Sequence, residues 1–407
     1  SWGYQDTGYF SPTARYGKPE ELKSFVDQCH QAGIGVILDF VPVHFAVNDY
    51  ALAEYDGTAL YEYPNMAVGR NEWGSCNFMH SRGEVCSFLQ SSAYYWLREF
   101  HFDGLRMDAV GNLIYWQGDA NRGENLAALK FIRTMNQGLK ERVPECLLFA
   151  EDSTPYQGVT KAVWEGGLGF DYKWDLGWMH DTLSYFQADA NERREKYHKL
   201  TFSMMYYYNE HYILPLSHDE VVHGKATIAQ KMNGGYDGKF PQARAFYMYM
   251  YAHPGAKLNF MGNELAQLKE WCEKDELDWI LLKFPIHEAF HKFMADLNKC
   301  YLTNNAFYQR DIRQDGFEWV DCHQEQKCMY LFERISGDQK ILAVFNFSDE
   351  TQEYTLEKDY AGYELVLASD MVKYGGKKRY TKKEKEIKGG KAVFKMGPFS
   401  ARYYLVK

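Results

Sequence analysis

Five short apolar runs in this chain each end in a carboxylic acid, and helix-like stretches alternate with them. An amphipathic helix is predicted over residues 19–33, between a Pro-Glu-Glu start and a closing glycine. The run 34–41 follows directly, and its nearly continuous apolar character is typical of a strand covered on both faces. The acids at the ends of the five runs are Asp39, Asp108, Glu151, Asp219 and Glu264.

Helices that alternate with short apolar strands predict βα units and a parallel sheet. In a barrel of parallel strands, the loops that follow the strands meet at one end, which is where catalytic groups lie. A single acid in such a place has a simpler explanation, because it can cap the next helix. Five acids at equivalent places favour one shared site. Residues 169–174 are a candidate sixth strand that is too polar to predict from pattern alone.

The pattern changes after about Tyr301, where short alternating runs are separated by glycine-containing turns. This predicts a separate antiparallel β-domain over residues 301–407, after a catalytic domain over residues 1–300. Within it, residues 373–395 hold ten Lys and Arg against two Glu. We interpret this segment as a solvated loop and an edge strand guarded by lysines.

Charge and composition narrow the class of partner. The 407 residues carry a net charge of −9 at pH 7, which argues against nucleic acid and anionic membranes. No run reaches the roughly 18 apolar residues that a membrane span requires. The eight cysteines form no Cys-x-x-Cys pair and show no metal-ligand spacing, so we expect reduced thiols in a cytoplasmic protein. The aromatic content of 17% indicates stacking surface for a neutral partner.

Clustered carboxylates beside His and Arg, without a phosphate-binding loop, favour acid-base chemistry on a weakly charged substrate. Cleavage of a glycosidic bond needs one carboxyl that is protonated and another that is ionised. Arg106 lies two residues before Asp108, so both side chains point to the same side of a strand and the guanidinium keeps Asp108 ionised. Asp108 is therefore the candidate nucleophile. Glu151 follows two apolar residues, which raise a carboxyl pKa, and is the candidate acid.

Asp219 lies beside His218, and together they are candidates to hold sugar hydroxyls and to stabilise positive charge in the transition state. His218 and His223 resemble a zinc motif only superficially. They are five residues apart, which would place them about 140° apart around a helix. The histidines of a zinc-binding pair are four residues apart and lie on one face of the helix. We therefore expect no metal and no organic cofactor.

Four segments, at residues 38–45, 104–110, 150–153 and 216–224, resemble the four common regions of the α-amylase superfamily of glycoside hydrolases and transglycosidases. Within that superfamily, the segments 1–5, 51–58, 173–182 and 260–264 resemble bacterial glycogen branching enzymes rather than amylases. The resemblance implies a (β/α)8 TIM barrel of the α-amylase type followed by a C-terminal all-β sandwich domain.

The resemblance also implies the activity and the roles of individual residues. The activity is that of a retaining transglycosidase, which cleaves an α-1,4-glucan and transfers the segment to a 6-hydroxyl to form α-1,6 branches in glycogen. The implied partner is an α-1,4-glucan such as glycogen or amylose, and the oligomeric state is left open. The implied roles are nucleophile for Asp108, acid/base for Glu151, transition-state stabiliser for Asp219, and sugar binding for Tyr4, Asp39, His44, Arg106 and His218.

Members of this family carry an N-terminal β-sandwich and two barrel strands ahead of the segment that begins here at Ser1. We therefore expect an N-terminally truncated chain with about six of eight barrel strands and two open parallel edges. Two alternatives remain open. One is an α-amylase-type glucan hydrolase, and the other is an inactive truncated chain that only binds glucan.

Overall fold

The computed structural model describes residues 2–358 and 360–407, so Ser1 of the segment 1–5 lies outside it. The chain forms two compact units. One comprises Ser1–Trp174 with Asn209–His211, and the other comprises Asp175–Tyr208 with Tyr212–Lys407. The domain boundary expected near residue 300 stays a prediction.

The first unit is built from alternating helices and short strands, as the sequence pattern predicts. Its elements are α1 (Pro19–Gln31), β1 (Ile37–Phe40), β2 (His44–Phe45), α2 (Met66–Gly69), β3 (Cys76–Asn77), α3 (Gly83–Glu99), β4 (Gly104–Met107), α4 (Val110–Ile114), α5 (Leu126–Arg142), β5 (Leu147–Ala150) and β6 (Tyr172–Trp174).

Four parallel strands form the sheet of this unit, in the order β1-β4-β5-β6. Strand β6 is the polar segment that pattern alone did not predict. Every residue of β4 is buried, but in β1 only Phe40 is. The prediction that the run 34–41 is covered on both faces is therefore wrong. In the part of the chain that the structure describes, β1 pairs only with β4, and Ile34 and Ile37 are exposed.

Helix α5 shows why these segments fold as they do. The Asn125 side chain caps it by accepting a hydrogen bond from the Ala128 N–H at 3.2 Å, and Lys140 and Arg142 lie in its last turn, where cations are favourable. Its apolar residues recur at helical spacing and are buried. They join residues of α3, β4 and β5 in a single hydrophobic core.

The second unit combines two parallel strands with helices and a C-terminal set of antiparallel strands. Its first elements are α6 (Leu176–Gln187), β7 (Tyr212–Leu216), α7 (Ile228–Lys231), α8 (Tyr236–Ala252), β8 (Ala256–Asn259) and α9 (Pro285–Thr303). Strands β7 and β8 are parallel and fully paired in register, and every residue of β7 is buried.

The remaining elements are β9 (Phe317–Gln324), β10 (Met329–Ser336), β11 (Gln339–Asn346), β12 (Gln352–Thr355), β13 (Tyr360–Ala368), α10 (Lys382–Lys385), β14 (Glu386–Gly390), β15 (Val393–Met396) and β16 (Ser400–Val406). Six of these strands form an antiparallel sheet in the order β14-β13-β16-β11-β10-β9, and β12 pairs with β15 in a second sheet. Apolar side chains from both sheets share one core. The expected C-terminal all-β sandwich is present.

Six parallel strands are therefore described, four in the first unit and two in the second, which matches the expected number. All eight cysteines are free thiols. None of the described helices combines the length and the apolar character of a membrane span.

Candidate active site

A single buried guanidinium, that of Arg106 on β4, contacts three of the predicted acids. Its Nη2 donates to Glu151 Oε2 at 2.7 Å, and its Nη1 lies 3.1 Å from both Asp39 Oδ2 and Asp108 Oδ1. The Arg106 side chain is only 5% exposed, whereas the Asp39 side chain is 51% exposed. The arrangement is therefore open on the Asp39 side and closed around Asp108 and Glu151.

The strand register explains why these side chains meet. Asp39 on β1 is the direct neighbour of Arg106 on β4. Beyond the strand ends, the Asp108 N–H donates to Phe40 O at 3.1 Å and the Glu151 N–H donates to Met107 O at 3.0 Å. The sheet ladder thus continues for one residue past β4 and β5, and it fixes both acids at the carboxyl edge of the sheet, as predicted for a βα barrel.

Tyr4 completes this cluster from the N-terminal segment. Its hydroxyl donates to Asp39 Oδ2 at 2.6 Å and accepts from Arg106 Nη1 at 3.0 Å, and the guanidinium lies 5.3 Å from the centre of its ring. His44 holds the Tyr4 backbone, because its Nε2 donates to the Tyr4 carbonyl at 2.9 Å. Burial lowers the pKa of His44, so this imidazole is neutral at pH 7.

The residue that follows Asp108 has an unusual backbone conformation. Ala109 has φ 48°, in the left-handed region that non-glycine residues seldom adopt. In this conformation its N–H donates to Glu151 Oε2 at 3.0 Å, and the next N–H, of Val110, donates to Glu151 O at 2.8 Å. The strained turn therefore orients Glu151 through both its side chain and its backbone.

The pKa of Asp108 depends on Glu151 as well as on Arg106. Burial, followed by the negative charge of Glu151, raises the pKa of Asp108 to about 8, although Arg106 acts in the opposite direction. The sequence predicts that Arg106 keeps Asp108 ionised. The structure differs because Arg106 divides its single positive charge among three carboxylates, and the two carboxyl groups hydrogen-bond to each other.

Two features of this cluster have no counterpart in the sequence predictions. Trp174, at the end of β6, lies under the Arg106 guanidinium at 4.6 Å from its ring centre. Asp152, adjacent to Glu151, forms a buried ion pair of 2.7 Å with Lys173 of β6. Both were missed because β6 was too polar to be assigned. Lys173 and Trp174 were the residues of the sequence from which these two contacts could have been predicted.

In the second unit, His218 and Asp219 follow the buried strand β7 in a short turn. His218 Nε2 lies 3.4 Å from Asp219 Oδ1, and its ring packs against Phe260 and Trp271 at centre distances of 6.0 and 6.2 Å. The Asp219 side chain is 40% exposed and the His218 side chain only 12%. The histidine is thus fixed between aromatic rings, while the aspartate is accessible.

The loop that carries Asp219 is held by a buried lysine. Lys231 Nζ donates to the backbone carbonyls of Glu220, Lys225 and Ala226 at 2.5 to 2.6 Å. Burial lowers the pKa of Lys231 to about 8. From the other side, the Glu270 carboxylate accepts the N–H groups of Gly224 and Ala226 at 3.0 and 2.6 Å.

These contacts stabilise a strained loop, since two of its non-glycine residues, His223 and Ala226, have φ values of 57° and 65°. The fifth predicted acid, Glu264, accepts the N–H of Gly262 in its own turn at 2.9 Å, so a local capping role accounts for it. Within the described residues, no three His, Cys, Asp or Glu side chains are placed to hold a metal ion.

Comparison with known proteins finds close sequence relatives. The chain is 44% identical over 392 residues to "1,4-alpha-glucan branching enzyme GlgB" of Marinobacter nauticus, and 46% identical over 382 residues to the protein of that name from Fusobacterium nucleatum. Each match covers 92% of this chain. The protein of that name from Bacillus subtilis is 43% identical over 96% of this chain. The chain spans only 62% to 63% of the length of these relatives.

Family and fold comparisons agree with each other. Residues 319–407 match the family described as "Alpha amylase, C-terminal all-beta domain". An α-amylase from Geobacillus thermoleovorans has a similar fold, with a TM-score of 0.71 at 15% identity, covering 100% of this chain and 84% of that one. An Anoxybacillus α-amylase gives a TM-score of 0.67 at 16% identity, covering 99% and 82%. The predicted α-amylase-type fold class is confirmed.

Proposed function

We propose that this chain, which is 43% to 46% identical to three proteins named 1,4-alpha-glucan branching enzyme GlgB, forms the catalytic part of a retaining transglycosidase. In this proposal it cleaves an α-1,4-glucan and transfers the released segment to a 6-hydroxyl, which creates an α-1,6 branch in glycogen. The observation that carries the proposal is the Asp108–Glu151 pair, two carboxyl groups that both contact the buried Arg106 guanidinium.

The proposed reaction divides the roles within this pair. Glu151 acts as the acid and donates a proton to the leaving glycosidic oxygen, while the ionised Asp108 attacks the anomeric carbon. Glu151 then removes the proton from the incoming 6-hydroxyl, so that the sugar is transferred from Asp108 to this acceptor. Arg106 supports the ionised form of Asp108 from 3.1 Å.

The close approach of the two carboxyl groups supports retention of anomeric configuration. Inverting enzymes hold their carboxyl groups about 6.5 to 9.5 Å apart, which leaves space for a water molecule, whereas retaining enzymes hold them about 5 to 5.5 Å apart. The Asp108 and Glu151 side chains hydrogen-bond to each other. We take this contact as support for retention through a covalent intermediate on Asp108.

We assign the remaining predicted residues to glucan binding. Tyr4 offers an aromatic ring beside Arg106, and Asp39 is exposed enough to accept sugar hydroxyls. His44 keeps Tyr4 in place and packs against Trp73, a 47% exposed ring suited to sugar stacking.

Asp219 is proposed to stabilise the positive charge of the transition state, and His218 to bind a sugar hydroxyl. Both assignments rest on their match to the family region at residues 216–224. We further propose a cytoplasmic location and no nucleic-acid or membrane partner, consistent with the eight free thiols and the net charge of −9.

Incubation of the 407-residue chain with amylose tests this proposal, with α-1,6 anomeric signals followed by NMR and reducing ends followed in parallel. We expect α-1,6 signals to increase without a matching increase in free reducing ends. Reducing ends without α-1,6 signals would support the hydrolase alternative. If the chain forms neither product but melts cooperatively and binds amylose, the result supports the glucan-binding alternative.

The variant Asp108→Asn separates the nucleophile from other carboxylates. It should abolish both products, because the amide cannot attack the anomeric carbon. Asp27→Asn is a matched control, since Asp27 is an exposed residue of α1 outside the cluster. Retained turnover in Asp108→Asn would refute the nucleophile assignment.

A further inference from the structure

A cavity of about 550 Å³ in the second unit is lined by cationic side chains from four separate parts of the sequence. They come from α8, from the loop that follows β13, from β15 and from β16. The cationic residues of its lining are Arg244, Lys377, Lys378, Arg379, Lys395 and Arg402. The volume is in the range of pockets that bind small ligands.

The lining has little negative charge to balance these cations. Its single acid, Asp370, accepts a hydrogen bond from the Tyr380 hydroxyl at 2.6 Å and lies 3.7 Å from Arg402 Nη2. Lys378 is paired with Glu384 at 3.0 Å. The other four cations form no ion pair with any carboxylate among the described residues. They are Arg244, Lys377, Arg379 and Lys395.

Arg244 is the least expected member of this set, because its side chain is only 2% exposed. Its Nε donates to Ser369 O at 2.7 Å, but its Nη1 has no hydrogen-bond acceptor within the described chain. Burial lowers the pKa of Arg244 to about 10, so the guanidinium is still charged at pH 7. The Asp370 charge acts on Arg244 but forms no ion pair with it. A buried charge without an ion pair is costly, and such a charge indicates a site that an anion completes.

Arg402, on β16, is a second buried guanidinium with an unused donor. It is 4% exposed, its Nη2 donates to Lys395 O at 2.8 Å, and its Nε has no acceptor within the described chain. Two buried guanidinium groups with unused donors therefore lie on one cavity, and exposed Lys377, Arg379 and Lys395 surround them. The guanidinium group is well suited to phosphate, which accepts two parallel hydrogen bonds from it.

We propose that this cavity binds a phosphate group, either as inorganic phosphate or as the monoester of a small metabolite. Four of the ten basic residues of segment 373–395 line this cavity, while β14 of the same segment is an edge strand, as the sequence predicts. The concave shape and the net charge of −9 favour a small anion over nucleic acid. This inference is independent of the function proposed above.

Isothermal titration and thermal melting of the full chain test the proposal, with inorganic phosphate and glucose 1-phosphate as the probes at constant ionic strength. We expect saturable 1:1 binding and an increase in melting temperature, neither of which appears with sodium chloride. An ester that binds at least about tenfold more tightly than phosphate identifies a phosphorylated metabolite as the ligand. Equal affinities identify the phosphate group alone.

The triple variant Lys377→Gln/Arg379→Gln/Lys395→Gln removes exposed cations only and should fold normally. It should weaken binding of both probes by at least about tenfold, and Arg244→Gln should do the same. Lys299→Gln, at an exposed position of α9 outside the cavity, is the control and should bind as the unchanged chain does.

Three results would overturn the proposal: no saturable binding of either probe, unchanged affinity in the triple variant, or tighter binding of a single-stranded RNA oligomer than of both probes.

Discussion

Arg106 Nη2 donates to Glu151 Oε2 at 2.7 Å, which is the shortest contact that this guanidinium makes with any of its three carboxylates. Its other terminal nitrogen contacts Asp39 and Asp108 together. The arginine therefore acts on the proposed acid, the proposed nucleophile and a proposed sugar ligand at the same time. Four of the following predictions concern this arrangement, the loop that carries Asp219, and the buried His80.

Replacement of Arg106 should separate the effect of its charge from that of its geometry. Arg106→Gln removes the charge that lowers the pKa of Asp108, so this pKa should rise further and the acid limb of the kcat/KM profile should move to higher pH by about 1 unit or more. Arg106→Lys keeps the charge but loses the two-pronged contact. Its rate should fall while the acid limb stays near its original pH.

The measurement is the pH profile of amylose cleavage for both variants. A control is Arg98→Gln, because Arg98 is an exposed residue in the last turn of α3. Identical acid limbs in Arg106→Gln and Arg106→Lys would contradict the electrostatic role.

Tyr4→Phe should isolate the hydroxyl that joins Asp39 to Arg106. The ring remains for sugar stacking, but one charged hydrogen bond is lost on each side of the hydroxyl. Hydrogen bonds to charged groups contribute about 1.5 to 3 kcal/mol, so kcat/KM should fall by about tenfold or more. Tyr4→Ala should lower it further, because the ring is lost as well. Unchanged kcat/KM in Tyr4→Phe would show that the hydroxyl contributes nothing, and equal losses in the two variants would show that the ring contributes nothing beyond the hydroxyl.

Lys231→Met should loosen the loop that carries Asp219. The three carbonyl contacts of the ammonium group disappear, and strained residues His223 and Ala226 lose their support. Hydrogen exchange of the amides in residues 223–226 should accelerate by at least about tenfold. If Asp219 has its proposed role, kcat should fall more than KM changes.

Lys231→Arg keeps the donors and should restore part of both properties. Unchanged exchange in Lys231→Met would contradict the positioning role, whatever the activity. Glu270→Gln provides an independent check, since it weakens the loop from its other side.

His80 should make the first unit less stable in mild acid. Burial lowers the pKa of His80 from 6.5 to about 4, and its Nε2 donates to Pro42 O at 2.9 Å. The unfolded chain therefore binds a proton near pH 6.5, whereas the folded chain does so only near pH 4. The free energy of unfolding should fall between these values by about 3 kcal/mol from this residue alone.

Urea unfolding at several pH values measures this effect. Between pH 6.5 and 4.5, the free energy of unfolding of His80→Gln should fall by about 2 kcal/mol less than that of the unchanged chain, because glutamine does not titrate. His291→Gln, at an exposed position of α9, should leave the slope unchanged. Equal slopes for His80→Gln and the unchanged chain would disprove the prediction.

Much of the fold was predictable because it depends on local patterns. The apolar runs that end in Asp39, Asp108 and Glu151 became β1, β4 and β5 with the acids at their carboxyl ends. The capping residue Asn125 and the spacing behind it defined α5. These features need only a few neighbouring residues, so a single sequence contains them.

The rest depends on distant partners. An apolar strand does not show which strands will flank it, and so the exposure of β1 was not predicted. The pKa of Asp108 depends on Glu151 and on how Arg106 divides its charge, which is a property of three strands together. The contact of Trp174 with Arg106 was not predicted, because Trp174 lies in β6, a strand too polar to be predicted from its pattern.

The function of the high aromatic content was also predicted only in part. Exposed rings such as Trp73 fit a sugar-stacking surface, but many tyrosines are core residues. Composition cannot separate these two uses. Tyrosines among the largest fully buried side chains are Tyr185, Tyr197, Tyr207, Tyr247, Tyr249, Tyr330, Tyr374 and Tyr403.

The exposed edge of β1 has a practical consequence for work with this chain in solution. A parallel edge strand with apolar Ile37 at the surface, and exposed Ile34 just before it, offers its backbone to any other extended segment, including one from a second molecule. Concentrated samples should therefore associate slowly and lose activity with time, more so after freezing or gentle heating. Storage at low concentration, or an Ile37→Lys substitution that places a charge at this edge, should extend the useful life of a preparation.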